Sequence, residues 1–202
     1  MNSEPHNLLF KNVNRKIRNL IININMDIIS ISSYMEDNDE YVSELHYYIL
    51  ALEDRNFFRH CGVDFKAILR EFKNMLIGKK YGGASTIDMQ LVRTITNYRE
   101  RTISRKIYEM TLAILLNFKF SKKQILNCYM RNAFLGSHII GFEAAIEKRF
   151  KDKPVLNELE MASLAAMLLK PMPLNPTKEW FFANESRARY AQKVRVFVKE
   201  SK

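Results

Sequence analysis

The sequence is organised around one stretch near the end of its first quarter, Glu53-Asp54-Arg55-Asn56-Phe57-Phe58-Arg59-His60-Cys61-Gly62-Val63-Asp64. Two segments follow it, Gly82-Gly83-Ala84-Ser85-Thr86-Ile87-Asp88-Met89-Gln90-Leu91-Val92-Arg93 and Arg101-Thr102-Ile103-Ser104-Arg105-Lys106-Ile107-Tyr108-Glu109. The first opens with an acidic pair, the second is a glycine turn leading into a helical pattern, and the third is a basic helical pattern ending in a second carboxylate. Together they predict a site for an anionic substrate.

The composition is that of one globular domain with an anionic partner. The chain has 202 residues, 47% of them hydrophobic, and 32 Lys and Arg against 22 Asp and Glu give a formal net charge of +10. That charge favours nucleic acid, an anionic membrane face or a phosphorylated substrate without choosing among them. Because no nucleic-acid-binding motif is recognised, we expect no nucleic-acid partner. Cys61 and Cys128 are too few for a disulfide framework and lie in no metal-ligand spacing.

The N-terminal region carries no pattern of a membrane span or a signal peptide. A span needs about 18–20 uninterrupted apolar residues, and the best early window, Leu20 to Met35, contains two Asn residues and Asp27. We expect residues 1–40 to be a lead-in that can form an amphipathic helix, and residues 41–202 to form a single domain.

Helical spacing dominates the rest of the chain, so the expected fold class is mostly α. Apolar residues at spacings of three and four place Glu53 near the end of a helix; they are Val42, Leu45, Ile49 and Leu52, with His46 among them. The predicted N-caps are Asp64, Ser85, Ser121 and Asn157. The last three have Asp88, Gln124 and Glu160 as capping-box partners, and the final helix of this set is expected to stop at Pro171.

The helix predicted from Asp64 to Ile77 has one apolar face surrounded by cations. The face consists of Phe65, Ile68, Leu69, Phe72, Met75 and Leu76, and the cations are Lys66, Arg70, Lys73, Lys79 and Lys80. The local pattern favours a core helix with a solvated back over a helix that dips into a lipid surface.

Two carboxylates on separate elements, Glu53 and Glu109, are the minimum set for sugar chemistry, one acting as acid or base and the other as its partner. Each also has an ordinary structural interpretation. Glu109 can pair with Arg105 one helical turn earlier, and Glu53 can pair with Arg55.

The turn from Gly82 to Thr86 can hold an anion, because glycines let the backbone approach closely and a helix start offers free N–H groups. Arg93, Arg101, Arg105 and Lys106 would add side-chain charge, enough for a pyrophosphate. The turn lacks the Gly-Lys-Ser/Thr ending of a nucleotide P-loop, and a plain turn with an N-cap explains it equally well. We expect His60 to be scaffold rather than a catalytic base.

Taken together, these segments resemble the peptidoglycan glycosyltransferases, the family of monofunctional transglycosylases and of the polymerase domain of class A penicillin-binding proteins. Its first motif is matched by Glu53, Asp54, Phe57, His60 and Gly62, its second by Gly83 to Gln90, and its third by Arg105, Lys106 and Glu109. Ser121-Lys122 with Ile125-Leu126 and Tyr129, then Gly136, Gly141 and Ala144-Ala145, are similar to the fourth block. Glu160 to Pro176 is similar to the closing helix, so the resemblance runs from about Leu45 to Pro176.

The resemblance implies a lysozyme-like, two-lobed helical fold and an inverting transfer of a lipid-pyrophosphate-linked disaccharide, lipid II, onto a growing glycan. By motif position Glu53 would be the general base and Glu109 would lie at the donor pyrophosphate, with a divalent metal (Mg or Mn) and no organic cofactor. The other implied substrate contacts are Asp54, Arg70, Ser85, Thr86, Gln90, Arg93, Arg101, Arg105 and Lys106. The helix after Asp64 would face lipid, and the protein would lie peripherally at the extracytoplasmic face of the bacterial inner membrane, near other cell-wall synthesis proteins.

The sequence departs from the family pattern at several positions. Asp88 and Met89 replace a Thr and a Gln of the second motif, which predicts a negative charge beside the pyrophosphate site, and Arg93 replaces the usual Lys. Further departures are Arg131, Leu135, His138 and Lys151-Asp152. They leave open a lipid-pyrophosphate-binding protein with weakened catalysis. A glycan-cleaving enzyme is disfavoured, because a neutral glycan needs no cluster of cations.

Overall fold

The computed structural model describes residues 4–35, 43–79, 83–98, 100–151, 153 and 155–198. Within them the chain forms nine α-helices, two short 3-10 turns and one antiparallel pair of strands. The helices are α1 (Glu4–Ser32), α2 (Glu44–Glu53), α3 (Phe65–Leu76), α4 (Ile87–Thr96), α5 (Ile103–Lys119), α6 (Lys122–Asn132), α7 (Phe142–Phe150), α8 (Glu158–Ala166) and α9 (Lys178–Val194). The strands are β1 (Phe134–Gly136) and β2 (Ile139–Ile140), and the 3-10 turns are Phe57–Arg59 and Arg195–Phe197. The predicted mostly α fold class is confirmed.

Helix α2 is the centre of the core. Its residues Tyr48, Ile49, Leu50 and Ala51 are fully buried, and the helix packs against α8 and α9. A helix that is apolar on every side is stable only inside a domain. The polar residues that follow Ala51 therefore emerge from the middle of the protein, and Glu53 closes the helix as predicted.

Helix α1 contacts the domain through its C-terminal turns. Ile31 is fully buried, Ile24 and Ile28 pack against the core, and the Asp27 carboxylate accepts a hydrogen bond from Tyr108 Oη at 2.7 Å. No described helix combines the length and the apolar content that crossing a bilayer demands. The predicted division of the chain after residue 40 falls outside the described residues and stays a prediction.

The connection between α2 and α3 is locked in place at Gly62. Its φ of +89° suits glycine, and a Cβ atom there would lie 2.4 Å from the carbonyl oxygen of Ala113 in α5. The Thr86 hydroxyl donates to the Gly62 carbonyl at 2.6 Å. The first and second sequence motifs are therefore held against each other and against α5.

Local capping signals account for most helix starts. Asp64 accepts from Ala67 N at 2.9 Å, and Ser121 and Asn157 form the predicted capping boxes. The prediction for Ser85 is wrong by one residue, because Thr86 caps α4 by accepting from Met89 N at 3.2 Å. Helix α8 ends at Ala166, four residues before the end that Pro171 predicted.

Helix α3 turns its apolar face outward, so the core interpretation of this helix is wrong. Phe65, Leu69 and Phe72 are 58%, 69% and 53% exposed, while Ala67 is the buried residue of the helix. The predicted end at Ile77 is its C-cap, and Lys80 lies outside the described residues. Exposed apolar groups of this size beside Lys66, Arg70 and Lys73 are typical of a surface that meets a lipid or a protein partner.

Candidate active site

Glu53 is held by a two-step chain of hydrogen bonds at the end of α2. Its Oε2 accepts from Gln90 Nε2 at 3.1 Å, and Gln90 Oε1 accepts from Tyr129 Oη at 2.8 Å. Because the Tyr129 hydroxyl donates, the Gln90 amide is oriented with its NH2 group toward Glu53. The carboxylate is thereby fixed by one neutral donor and keeps acceptor capacity for another group.

The surroundings of Glu53 raise the pKa of its carboxyl group. Burial is the largest cause, and the Asp54 charge adds to it; the Gln90 hydrogen bond and the Arg187 charge act in the opposite direction. Burial, followed by the Glu53 charge, raises the pKa of Tyr129 well above its ordinary value, so the phenol stays protonated and remains a donor. A carboxylate with a raised pKa is suited to accept a proton near neutral pH.

Asp54, next to Glu53 in the chain, has a structural role. It is 8% exposed, and its Oδ2 accepts from His60 Nε2 at 3.0 Å and from the backbone N–H of Ile87 at 3.1 Å. It therefore joins the end of α2 to the start of α4 and to the turn that carries His60. The position of His60 agrees with the expected scaffold role.

A cavity of about 330 Å³ opens beside Glu53. Its walls include Asp54, Arg70 and the segment from Gly83 to Thr86. Ser85 and Arg70 thus lie where a substrate bound next to Glu53 would meet them. The Arg70 side chain is 60% exposed, and among the described residues its ionic neighbour is Glu71 at 3.4 Å. Thr86 is 2% exposed. Its hydroxyl donates to the Gly62 carbonyl and accepts from Met89 N, so Thr86 forms part of the cavity wall.

A second carboxylate, Glu109 on α5, is fully buried among cations. Arg93 holds it with a two-pronged ion pair, Nε to Oε1 at 2.9 Å and Nη2 to Oε2 at 3.0 Å, and Arg105 Nη1 lies 3.5 Å from Oε1. The hydrogen bond to Glu109 raises the pKa of Arg93. Bidentate pairing explains why Arg rather than Lys fits at position 93.

Lys106 links this cationic cluster to the cavity beside Glu53. Its ammonium group donates to Ser85 Oγ at 2.5 Å, and Ser85 lines that cavity. Burial lowers the pKa of Lys106, as do the charges of Arg93 and Arg105, while Glu109 opposes them. Three cations share one carboxylate, so an anion beside Ser85 would meet excess positive charge.

The predicted site residues are thus assembled in two groups that meet at Ser85. Glu53, Asp54, Arg70, Ser85, Thr86 and Gln90 surround the cavity or its wall, and Arg93, Arg105, Lys106 and Glu109 form the cluster. Arg101 is exposed and makes no side-chain contact that joins it to either group among the described residues. Both oxygens of Glu109 accept hydrogen bonds from Arg93, and its catalytic role stays a prediction.

The predicted cradle of free N–H groups at the start of α4 is wrong. Asp54 occupies the N–H of Ile87, Thr86 occupies that of Met89, and both of these residues are fully buried. A carboxylate and a hydroxyl of the protein itself already fill the positions that an anion would take. Gly83 and Ser85 still line the cavity, and Gly82 lies outside the described residues.

The expected negative charge beside the pyrophosphate site is also absent from the described cavity wall, because Asp88 points into the protein. Asp88 is fully buried, accepts from Asn117 Nδ2 at 2.7 Å and pairs with Lys122 Nζ at 3.0 and 3.1 Å. Met89 is fully buried in the core. Neither departure from the family pattern removes a group from the cavity wall.

The residues present do not fit a divalent ion at Glu109. Its oxygens are taken by Arg93, so an ion would have to displace the guanidinium group. In the described part of the chain, one group of His and acidic residues has metal-ligand spacing: Asp54, His60 and Asp88. There the Lys122 ammonium already supplies the positive charge at Asp88.

Two residues near Glu53 were missed by sequence reasoning. Tyr129 orients Gln90, and the charge of Arg187 on α9 reaches Glu53, while the buried Nε of Arg187 has no hydrogen-bond partner. Tyr129 lay in a recognised motif and could have been included. Arg187 is 134 residues away from Glu53 in a run of charged helical residues, where nothing local separates it from a solvated Arg.

Comparisons with known proteins give the same family. The family model described as Transglycosylase matches residues 25–197, and the chain belongs to this family. It is 42% identical over 129 residues to a protein named penicillin-binding protein 1A of Aquifex aeolicus, covering 63% of this chain and 18% of that protein. It is 38% identical over 137 residues to a biosynthetic peptidoglycan transglycosylase of Alcanivorax borkumensis, covering 67% of this chain and 56% of that protein.

A putative transglycosylase of Cupriavidus necator is 34% identical over 144 residues, covering 71% of this chain and 61% of that protein. The chain therefore spans less than two thirds of the length of each of these relatives. The match to the family model nevertheless includes every predicted site residue.

Proposed function

We propose that this protein is a peptidoglycan glycosyltransferase that polymerises lipid II, a lipid-pyrophosphate-linked disaccharide, into glycan strands. The proposal depends on one observation: the Glu53 cavity and the cationic cluster around Glu109 meet at Ser85. On one side lies a desolvated carboxylate with spare acceptor capacity, and on the other a cluster with excess positive charge. A base and an anion-stabilising group are what a transfer from a pyrophosphate donor needs.

In the proposed reaction Glu53 removes the proton from the 4-hydroxyl of the acceptor sugar. The hydroxyl oxygen forms a bond to the anomeric carbon of the donor as the bond from that carbon to the pyrophosphate oxygen breaks, which inverts the configuration. The electron pair leaves with the pyrophosphate, and Arg93, Arg105 and Lys106 stabilise its charge. Charge stabilisation in a water-poor site is often the largest catalytic contribution.

The other residues have supporting roles in this proposal. Glu109 fixes the guanidinium planes of Arg93 and Arg105, so it positions the cations and does not transfer a proton. Gln90 orients Glu53, Ser85 and Arg70 contact substrate along the cavity, and Arg101 reaches the pyrophosphate when donor is bound. Asp54 and Thr86 hold the two motifs together. Because both oxygens of Glu109 are hydrogen-bonded to Arg93, Glu109 provides no ligand for Mg or Mn in this reaction.

The outward apolar face of α3 supports a peripheral position at the membrane, where a lipid-linked donor resides. We propose the extracytoplasmic face of the bacterial inner membrane, with other cell-wall synthesis proteins as further partners. The exposed rings of Phe65 and Phe72 would enter the interface while Lys66 and Lys73 meet headgroups.

Polymerisation of labelled lipid II by the purified protein, with and without a moenomycin-type inhibitor, tests the proposal. We expect product from the wild type, loss of product with the inhibitor, and a decrease of about 10²- to 10⁴-fold in Glu53→Gln, as for removal of a general base. The matched control Glu143→Gln, an exposed acid on α7, should keep wild-type activity. Circular dichroism and thermal unfolding would show that both variants are folded.

A wild type that binds lipid II but forms no product would overturn the polymerase and support the binding protein with weakened catalysis. The burial of Asp88 and Met89 weakens that alternative, since its motivation was the loss of groups from the site. Release of muropeptides from purified cell wall would instead indicate a glycan-cleaving enzyme.

A further inference from the structure

A second cavity, of about 750 Å³, lies behind the first motif, and we call it the headgroup cavity. Phe58, Arg59, Cys61, Phe65 and Lys66 are among the residues that line it. It shares Asn56 and Asp64 with the lining of the Glu53 cavity. The side chains of this pair are bonded, Asn56 Nδ2 to Asp64 Oδ2 at 2.9 Å, so they form a wall between the two spaces.

The charges that face the headgroup cavity leave two cations uncommitted. Arg59 and Lys66 are exposed, and the side chain of neither makes a hydrogen bond or ion pair with a described residue. Lys122 is committed to Asp88 and lies 4.3 Å from the Phe57 ring centroid. The one acid of the lining, Asp64, is occupied by Ala67 N and Asn56.

Apolar surface adjoins these cations. Phe65 begins the outward face of α3 and is 58% exposed, and Leu69, one helical turn later, is 69% exposed. A site with cations at one end and an unbroken apolar strip at the other matches an amphiphilic anion. Free phosphate would leave the strip uncovered, and nucleic acid would find no groove of continuous positive charge there.

We propose that the headgroup cavity binds the phosphate headgroup of an anionic phospholipid, with Arg59 and Lys66 at the phosphate and the acyl chains along Phe65 and Leu69. The inference rests on the proposed function only in placing α3 at a lipid surface. It assigns a separate site, walled off from the catalytic cavity, that selects the charge of that surface. Occupancy therefore requires no turnover of substrate.

Cys61 provides the measurement, because its thiol is exposed at this cavity while Cys128 is buried. The rate of maleimide labelling of Cys61 would be measured with vesicles of phosphatidylcholine alone, with vesicles containing phosphatidylglycerol, and with inorganic phosphate. We expect the phosphatidylglycerol vesicles to slow labelling at least about five-fold, the factor that one basic residue contributes at an anionic surface. Neutral vesicles and phosphate should leave the rate within about two-fold.

Matched variants separate this cavity from a general attraction of a basic protein. Arg59→Gln and Lys66→Gln should lose the protection of Cys61, whereas Lys148→Gln and Lys178→Gln, exposed lysines on α7 and α9, should retain it. Equal protection by neutral vesicles, or equal loss in all four variants, would overturn the proposal. Protection by phosphate alone would reduce the site to a simple anion site. A further set of neutral vesicles would carry lipid II, and protection by these but not by phosphatidylglycerol would overturn the proposal and assign the cavity to the substrate.

These results are independent of the polymerase assay. Protection of Cys61 without polymer formation would support the lipid site and overturn the proposed polymerase activity. Polymer formation without protection would support the polymerase and overturn the lipid site.

Discussion

Glu53 lies in the first motif and Glu109 in the third, and the surroundings of the two carboxylates differ. Glu53 is partly buried with one neutral donor, and its pKa is raised; Glu109 is fully buried with its two oxygens bonded to Arg93. The difference shows that the fate of a buried carboxylate is set by its donors. A carboxylate held by one neutral donor can take a proton, whereas a carboxylate paired with cations serves to hold those cations in place.

The largest effect expected from this comparison is on the free energy of unfolding of Arg93→Ala. Removing the guanidinium leaves the buried Glu109 without its two hydrogen bonds and with only the charges of Arg105 and Lys106 to offset its own, which costs about 3–5 kcal/mol. Urea unfolding measures the change. The control Arg189→Ala breaks the exposed pair with Glu185 and should change stability by less than about 1 kcal/mol. Equal losses of unfolding free energy in the two variants would mean that the buried Arg93–Glu109 pair stabilises the fold no more than an exposed pair does.

A smaller effect of opposite sign is expected for Glu53→Gln. Because the folded pKa of Glu53 lies above its unfolded value, the stabilising contribution of this group is complete below the unfolded pKa and is lost as pH rises through the folded pKa. At pH 7 the wild type has lost this contribution. The free energy of unfolding of the variant should therefore be larger by about 0.5–2 kcal/mol, the size of a typical single stabilising replacement. Thermal unfolding from pH 4 to pH 8 should show the difference vanish at the acid end.

The smallest effect is a shift of the pH profile in Arg187→Gln. The Arg187 charge lowers the pKa of Glu53, so its removal should raise that pKa further. The acid limb of kcat/KM, which reports the free base, should move to higher pH while the rate on the plateau changes little. An unmoved limb would show that Arg187 does not act on the base. Arg189→Gln, on the exposed side of the same helix, should leave the limb in place.

The sequence was most informative where causes are local. The caps at Asp64, Ser121 and Asn157 depend on residues three positions apart, and each was predicted correctly. Ser85 and Thr86 are adjacent and equally able to cap, so the choice between them required the Gly62 carbonyl, which Thr86 contacts from 24 positions away.

The remainder depended on tertiary structure. Asp88 and Arg93 both follow the same turn, yet Asp88 is buried and pairs with Lys122, whereas Arg93 is half-buried and pairs with Glu109. Helical spacing alone does not say which side faces the cavity. The apolar face of α3 has the same periodicity whether it packs inward or outward. The contribution of Arg187 came from a helix with no motif at that position.

The hydrogen bond between Asp27 and Tyr108 attaches α1 to α5. The helix has 29 residues, about 43 Å at the usual rise, and among its side chains described from residue 12 onward the buried and core-packed ones, Ile24, Ile28 and Ile31, lie toward its C-terminal end. Tyr108 precedes Glu109 in α5. A displacement of α1 would therefore act next to the residue that holds the cationic cluster. The attachment point of the longest described helix and the cationic cluster thus lie in one turn of α5, so a substitution that breaks the Asp27–Tyr108 hydrogen bond acts one residue away from Glu109.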